Sequence, residues 1–453
     1  MNLPPGPTSF VPSLLRYQVD PYGVFRALAK KYGEPFMLAL PGTPGTVVTG
    51  SAAGARAIIA ADREQFVPLV SEVTPQLFGD ASIFMQKGDA HRQARKMMAA
   101  PFHAHRLDRY GELMETITQH HMTSWRTGDV VPMQTAVHRM TLDIILGVLF
   151  GHTPGEPRSQ RFHHALDDGL ETLGPAILYA KFLRRRFWGF GPWSRALRLV
   201  DDMRAALIAE IEFHREQPGN DVIDGLIRAR YEDGAPLTDL EIRDRLSDLI
   251  IGGHETTAVA IAWALHELCR APHTMARLVD ELDASWTGPN PAQLEALPYL
   301  EAVCNETLRL HPSVVFLSRR LAKPLDVLGY ELQPGMAVSM ALPVLHTDPR
   351  VFPDPLRFDP ERFVGRTYAA GEFLPFGGGH KRCMGPAFGM YEMKVTIATV
   401  LRTVRIALAR PAGAAARPRT ITVVPKDGVD VVIVEKRAIR ETASVPSRVA
   451  AAR

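Results

Sequence analysis

Between Thr238 and Arg270 the chain runs for about thirty residues without a proline, behind a Thr-x-x-Glu capping box at 238 to 241. At 1.5 Å per residue, one helix over that span is about 45 Å long, enough to cross a large domain. It is the predicted spine, and the surrounding sequence has the texture to pack against it. From about Ala90 to Arg270 nearly every segment has helical periodicity, broken by Gly/Pro loops at 151 to 157, 189 to 192 and 217 to 220. Pro21 to Tyr32 also has helical spacing, and residues 35 to 50 read as a β-hairpin around Pro41-Gly42-Thr43-Pro44-Gly45. Beyond Pro312 short strands and proline-punctuated turns take over until Phe376. A last helix is predicted from about Pro386 to Thr403, then a hairpin turning at Lys426-Asp427-Gly428. The fold class is therefore mainly α with a smaller β-rich part.

The chain of 453 residues shows no linker, charge block or internal repeat, so residues 1–435 are read as a single domain. The stretch from Lys436 to 453 is basic, Ala/Ser-rich and aperiodic, and is read as a flexible tail. A net charge of +3, spread along the sequence, gives no reason to expect nucleic acid as a partner. The N-terminus has neither a basic n-region nor an apolar core, and no stretch is apolar enough to span a bilayer, so no signal or membrane anchor is expected and the location is read as cytoplasmic. The three cysteines, Cys269, Cys304 and Cys383, are odd in number and unpaired in spacing, which argues against a disulfide framework and for single thiols in a reducing compartment.

Cys383 lies in Phe376-Gly-Gly-Gly-His-Lys-Arg-Cys-Met-Gly385, a loop with four glycines leading into the last helix. Glycine permits positive φ and close backbone approach. The helix N-terminus just beyond favours thiolate over thiol. Alone, the loop fits a metal or haem thiolate, a nucleophilic cysteine, or a buried cysteine in a tight turn.

Phe376, Gly377, Gly379, Cys383 and Gly385 match the cysteine-ligand signature of the cytochrome P-450 superfamily, and three further motifs match in order and distance. The chain resembles that family over essentially its whole length. The resemblance implies a haem b (iron-protoporphyrin IX) cofactor with Cys383 as its iron ligand, a long central helix over the haem, and activation of O2 by a thiolate that favours O–O cleavage. One position departs from the pattern: two residues before the cysteine the family carries Arg or His toward a haem propionate, whereas this chain has Lys381, which pairs as a point charge and not bidentately.

Midway along the spine lies Gly252-Gly253-His254-Glu255-Thr256-Thr257. Two glycines within a helix cost about 1 kcal/mol each; close helix packing is the plainer explanation, a notch at Gly252 over a flat cofactor the functional one. A carboxylate beside a hydroxyl can relay protons, and the pair looks like the family's acid-alcohol pair, with Thr256 hydrogen-bonding dioxygen and Glu255 supplying protons. His254 is expected against a neighbouring helix or the surface, without a ligand role.

His91 and Arg95, spaced i, i+4, resemble the family's propionate contacts, and the resemblance predicts a third cation at Arg319, with Arg320 the less favoured choice. Glu306 and Arg309, three apart on a helix, together with Arg362 in Phe358-Asp-Pro-Glu-Arg-Phe363, look like the family's Glu-Arg-Arg core, a structural triad. An apolar pocket is expected from Leu77 to Phe84, Leu173 to Leu178, Ile251 with Gly252, and Val314 to Leu317, with Asp248 a candidate polar handle. Without an attached flavin or iron–sulfur module, electrons are expected from a ferredoxin and its reductase, or a flavodoxin, docking near Lys381 and Arg382. The expected activity is hydroxylation of a hydrophobic small molecule such as a fatty acid, terpenoid or steroid, by a monomer. Two rival readings are a haem-thiolate enzyme that uses peroxide or rearranges a hydroperoxide, and a non-catalytic haem-binding sensor.

Overall fold

The structure, a computed structural model, describes residues 2–38, 45–69, 74–102, 107–172, 184, 190–410 and 413–437. Its centre is helical. The Met133–Phe150 helix is apolar on nearly every side and buried along most of its length, as a helix must be when others surround it. Glu255–Arg270 packs against it on one side and against Pro386–Thr403 on another.

The predicted spine exists, but in two pieces. Its first half, Asp239–Gly253, starts at the expected capping box, with Thr238 accepting from Glu241 N–H at 3.3 Å. Its second half is Glu255–Arg270, and His254 between them has φ −100° and ψ −54°. The physical reason sits in the sequence Gly-Gly-His-Glu-Thr-Thr. The hydroxyls of Thr256 and Thr257 donate to the carbonyls of Gly252 and Gly253, at 3.0 and 3.2 Å. Side-chain capture of i−4 carbonyls bends a helix, most readily where glycines leave the backbone soft.

The β part is a set of small sheets on the flank. A five-stranded sheet runs in the order Phe36–Leu38, Thr46–Thr49, Ala337–Ala341, Phe316–Leu321, Phe66–Val67. The first two strands pair antiparallel, as expected for 35 to 50, while the turn at 41 to 44 lies outside the described residues. The hairpin expected at Lys426-Asp427-Gly428 is not there. The turn exists, but the strands flanking it part: Thr422–Pro425 pairs back with Ala416–Arg419, and Asp430–Lys436 pairs with Val404–Leu408 and Val130–Pro132. The true hairpin turn is Thr420-Ile421, with Thr420 at φ 52°. Lys436, placed at the start of the tail, is the last residue of a paired strand, and residues 438–453 lie outside the described residues.

Glu306, Arg309 and Arg362 meet where the Pro298–Leu310 helix packs on the Pro360–Phe363 turn. Glu306 and Arg309 are fully buried. Arg309 donates to both Glu306 oxygens, at 2.6 and 2.7 Å, and to the carbonyls of His346, Pro355 and Arg357. Arg362 donates to Glu306 Oε1 at 3.1 Å, and the Asp359 amide to the same oxygen at 2.8 Å. The Pro298–Leu310 helix is thus tied to the 346–362 segment that leads to the cysteine loop. Breaking a buried pair on one side leaves an uncompensated charge, at about 3–5 kcal/mol. Glu306→Ala or Arg309→Ala is therefore expected to yield no haem-loaded protein, measured as the ratio of haem absorbance to protein. Full haem content in either variant would contradict the structural role.

Candidate active site

The Gly377–Lys381 loop is shaped by what lies beneath it. Gly377 and Gly379 have φ of 69° and 63°, a region that side chains avoid. A Cβ on Gly378 or Gly379 would also collide with Ile59, on its side chain and its backbone carbonyl respectively. The loop closes through the Cys383 amide, which donates to the Phe376 carbonyl at 2.9 Å. The helix that begins at Pro386 follows directly. Around the Cys383 sulfur, desolvation by the surrounding protein raises the thiol pKa, while the Gly385 and Met384 amides and the Arg95 and Arg382 guanidiniums favour the thiolate. Burial pushes the other two thiols up to about 12, with nothing to offset it at Cys269 and with Lys394 opposed by Glu301 at Cys304.

Cations converge on the same loop. Arg95, on the Gly88–Ala99 helix, donates to the Cys383 carbonyl at 3.2 Å. His91, one turn earlier, is buried, and its Nδ1 finds no hydrogen-bond partner among the described residues. Arg319 is buried as well, donates to the carbonyls of Ile58 and Gly378, and lies over the Phe66 ring. Phe66 in turn stacks on His380, whose ring centroid is 6.5 Å from that of His91. The electrostatic influences on His91, His380 and Lys381 are cationic. Burial first, then Lys381, Arg95, Arg63 and His380, lowers His91 to about 4. Burial and Arg319, Lys381, Arg63 and Arg95 lower His380 to about 4, and burial with Arg319, Arg95 and Arg63 lowers Lys381 to about 8. Sequence reasoning reached His91, Arg95, Arg319 and Lys381 but missed Arg63 and His380. His380 sat within the quoted loop; Arg63 carried no signal, because only the tertiary fold brings it here.

The glycine pair divides between its two explanations. A Cβ on Gly253 would lie 3.0 Å from Ile145, so Gly253 serves close packing against the Met133–Phe150 helix. A Cβ on Gly252 would meet nothing within 4 Å. Gly252 therefore faces open space, and the Thr256 hydroxyl bonded to its carbonyl lies along that opening. His254 turns the other way, with its ring 4.9 Å from that of His138 and Nδ1 3.0 Å from the Ile250 carbonyl.

Glu255 differs from a free proton donor. Arg419 donates to both of its oxygens at 2.7 Å, Thr422 donates to Oε1 at 3.1 Å, and His138 Nδ1 lies 3.2 Å from Oε2. Burial alone would raise the carboxyl, but His138 and Arg419 overcome it and hold the pKa at about 2. These three partners were not foreseen, and two belong to the hairpin whose strands were mispaired above.

Asp248 is not a free handle in a pocket. Its carboxylate accepts from the Ser82 hydroxyl and the Ile83 amide, both at 2.7 Å, while Asp244, one turn earlier, accepts from the Ala81 amide at 3.0 Å. The two aspartates pin the loop before Phe84 to the spine. Of the other pocket segments, 173 to 178 lies outside the described residues. The 313–317 segment is anchored to the spine, with the Ser313 hydroxyl donating to the Thr256 carbonyl at 2.9 Å.

A thiol on a glycine loop, basic side chains gathered around it, and an opening at Gly252 fit a flat dianionic cofactor whose metal takes the sulfur; a haem has this form, its two propionates supplying the negative charge. The site is that of a haem-thiolate protein. A family model for cytochrome P450 matches residues 3–426, and the chain belongs to that family. It is 32% identical to "Putative cytochrome P450 135B1" of Mycobacterium tuberculosis, over 99% of this chain and 95% of the relative. It is 30% identical to "Putative cytochrome P450 138" of Mycobacterium bovis, over 96% of each. The solved structure of a retinoic acid-bound cyanobacterial CYP120A1 superposes with a TM-score of 0.84 at 24% identity, over 96% of this chain and all of that one. The chain is thus a monooxygenase with haem b as its cofactor. Among the described residues, no helix is long and apolar enough to cross a membrane.

Two measurements follow from the electrostatics. Burial raises Asp248 to about 7, against about 3.9 in an unfolded chain. The fold thus binds a proton that the unfolded chain has released, and stability falls as pH rises from about 4 to about 7. Thermal melting of Asp248→Asn is expected to lack this decline; an unchanged pH profile would refute it. Lys381→Arg, able to grip a propionate bidentately, is expected to slow haem transfer to apomyoglobin several-fold, and Lys381→Ala to speed it. Equal rates in all three proteins would remove Lys381 from the propionate site.

Proposed function

We propose that this cytochrome P450 hydroxylates a hydrophobic small molecule of the fatty acid, terpenoid or steroid kind, with electrons from a separate ferredoxin and its reductase, or a flavodoxin. In this reading residues 1–435 act as one monomeric unit in the cytoplasm. When bound, the haem supplies the O2-activating chemistry. Cys383 is its thiolate ligand, Phe376 and Gly377 shape the loop that carries the sulfur, and Gly252 leaves the notch on the spine. His91, Arg95, Arg319 and Lys381 hold the propionates, with Arg63 and His380 adding positive charge.

The observation that carries the reading is the neighbourhood of Thr256 and Glu255. The Thr256 hydroxyl, whose proton goes to the Gly252 carbonyl, lies beside the open space at Gly252, where its oxygen can accept a hydrogen bond from a ligand. The adjacent Glu255 is buried and ionised, so any proton that reaches it from outside is one it can pass inward. The apolar residues of the 313–317 segment, fixed by Ser313 to the Thr256 carbonyl, support a hydrophobic substrate over Gly252. Lys381 and Arg382 give the cysteine side a positive face for an acidic electron donor.

The peroxide-using alternative has one observation in its favour: Glu255 is fully engaged by Arg419, Thr422 and His138, as a residue with no proton to deliver would be. The two readings separate cleanly. Glu255→Gln is expected to retain haem and to slow reductase-driven turnover by about 100-fold or more, with peroxide-driven turnover little changed. Reductase-driven turnover at the native rate in this variant, or faster product formation with peroxide alone in the native protein, would favour the alternative. For the docking face, alanine at Lys381 and Arg382 is expected to flatten the salt dependence of electron transfer. An unchanged slope places the donor elsewhere.

A further inference from the structure

Where the Pro192–Glu216 helix ends, Gln217-Pro218-Gly219-Asn220 turns the chain directly into the Val222–Arg228 helix. Proline and glycine are costly inside a helix, so the break lies in the sequence itself, and Asp221 takes the cap position of the second helix. The turn gathers three residues with metal-binding chemistry: His214 from the last turn of one helix, Asp221 at the cap of the next, and Asp224 in its first turn. Two glycines make room for the carboxylates. Gly151, just after the Met133–Phe150 helix, has φ 70°, and a Cβ there would lie 2.9 Å from Asp221 Oδ2. A Cβ on Gly219 would lie 3.1 Å from Asp224 Oδ2 and 3.6 Å from Asp221 Oδ2.

One ligand atom from each of these residues lies within 4.8 Å of the others. The His214 side chain is only 4% exposed. Its Nδ1 is 3.2 Å from Asp224 Oδ1, while its Nε2 faces Glu210 Oε2 at 3.9 Å and has no hydrogen-bond partner among the described residues. Glu210 is itself held, with Arg158 Nη1 at 3.0 Å and His152 Nε2 at 3.1 Å. A neutral imidazole donates from one nitrogen and accepts at the other. With carboxylates on both sides, a neutral His214 leaves one lone pair against an oxygen unless a cation takes it. The acids also lack a cation: among the described residues no lysine or arginine pairs with Asp221 or Asp224. Asp224 accepts from the Gly219 and Asp221 amides, at 3.0 and 2.9 Å, which aims its carboxylate. Burial raises the Asp221 carboxyl and Asp224 beside it adds to the rise, against His214, Arg109 and His152.

We propose that His214, Asp221 and Asp224 form a binding site for a divalent transition-metal ion of the zinc kind, which staples the end of the Pro192–Glu216 helix to the start of the Val222–Arg228 helix. An imidazole with two carboxylates suits zinc, whereas calcium and magnesium prefer oxygen throughout. Bound through Nδ1, His214 carries its remaining proton on Nε2 and turns it toward Glu210. That is the carboxylate–histidine–metal arrangement that orients a ligating ring, and Arg158 and His152 keep Glu210 in place for it. Three protein ligands leave the fourth position to water. Asp221, only partly buried, gives the ion its way in. Without a metal, the arrangement that satisfies both faces of the ring is a protonated His214 shared between Glu210 and Asp224.

The test is equilibrium dialysis of the EDTA-washed, haem-loaded protein against zinc, with bound zinc counted by mass spectrometry and magnesium and calcium run beside it. The native protein is expected to hold a single tight equivalent of zinc and to melt at a higher temperature with it. His214→Gln and Asp221→Asn are expected to weaken binding by about tenfold or more and to lose the zinc-dependent rise in melting temperature. Asparagine caps a helix as well as aspartate, so Asp221→Asn keeps the fold and decides the matter if His214→Gln fails to load haem. His120→Gln, which removes an exposed imidazole elsewhere, is expected to bind zinc as the native protein does. No tight zinc in the native protein would overturn the site and leave a protonated His214 in its place. Tight zinc that persists in Asp221→Asn, or that is lost in His120→Gln, would put the ion elsewhere and overturn it equally. Magnesium or calcium held as tightly as zinc would overturn the part given to the imidazole.

Discussion

Basic groups crowded together repel one another, and this chain gathers them around one loop. Burial and the charges of Lys381, Arg95 and Arg63 lower the proton affinity of His91 and His380, Arg319 adds to the effect on His380, and Arg319, Arg95 and Arg63 act likewise on Lys381. The glycines at 377 to 379 allow the loop to lie flat on Ile59, which brings its backbone and its cations to these groups. An anionic cofactor resolves the arrangement, and the protein's own architecture is spent on keeping it in place. The buried Glu306 cluster fixes the helix and the segment leading to the loop, and Arg95 clasps the loop through the Cys383 carbonyl.

Acidic side chains stand on the spine across the site. Glu255, Asp244 and Asp248 are carboxyl groups on the spine, engaged by two other parts of the chain. Asp244 and Asp248 take the amides and hydroxyl of residues 81 to 83, while Glu255 takes the Arg419 hairpin. The spine is therefore a rail to which the surrounding segments are pinned by hydrogen bonds and, at Glu255, by an ion pair. Its break at His254 separates the aspartates that hold the loop before Phe84 from the pair that flanks the opening.

Much of this was legible in the sequence because it is local. The capping box at Thr238, the helix beginning at Pro386 and the strands around 36 and 48 follow from spacing, proline placement and β-branched runs. The loop around Cys383, the Glu306-Arg309 pair and the Glu255-Thr256 pair were found as motifs for the same reason. What escaped is not local. The kink at His254 depends on threonine hydroxyls taking glycine carbonyls, an outcome that periodicity does not carry. The hairpin at the C-terminal end was mispaired because Lys426-Asp427-Gly428 has good turn chemistry, whereas Thr420-Ile421 has none and is held in its turn by tertiary contacts. Arg419 and Glu255, 164 residues apart, belong to no common pattern, and neither do Arg63 and His91.

The most direct test of a haem held through Cys383 is the absorption spectrum of the dithionite-reduced protein before and after carbon monoxide. A strongly red-shifted Soret band in the native protein, abolished in Cys383→Ser, is the predicted result. No haem band, or a shorter-wavelength band that survives unchanged in Cys383→Ser, would contradict it.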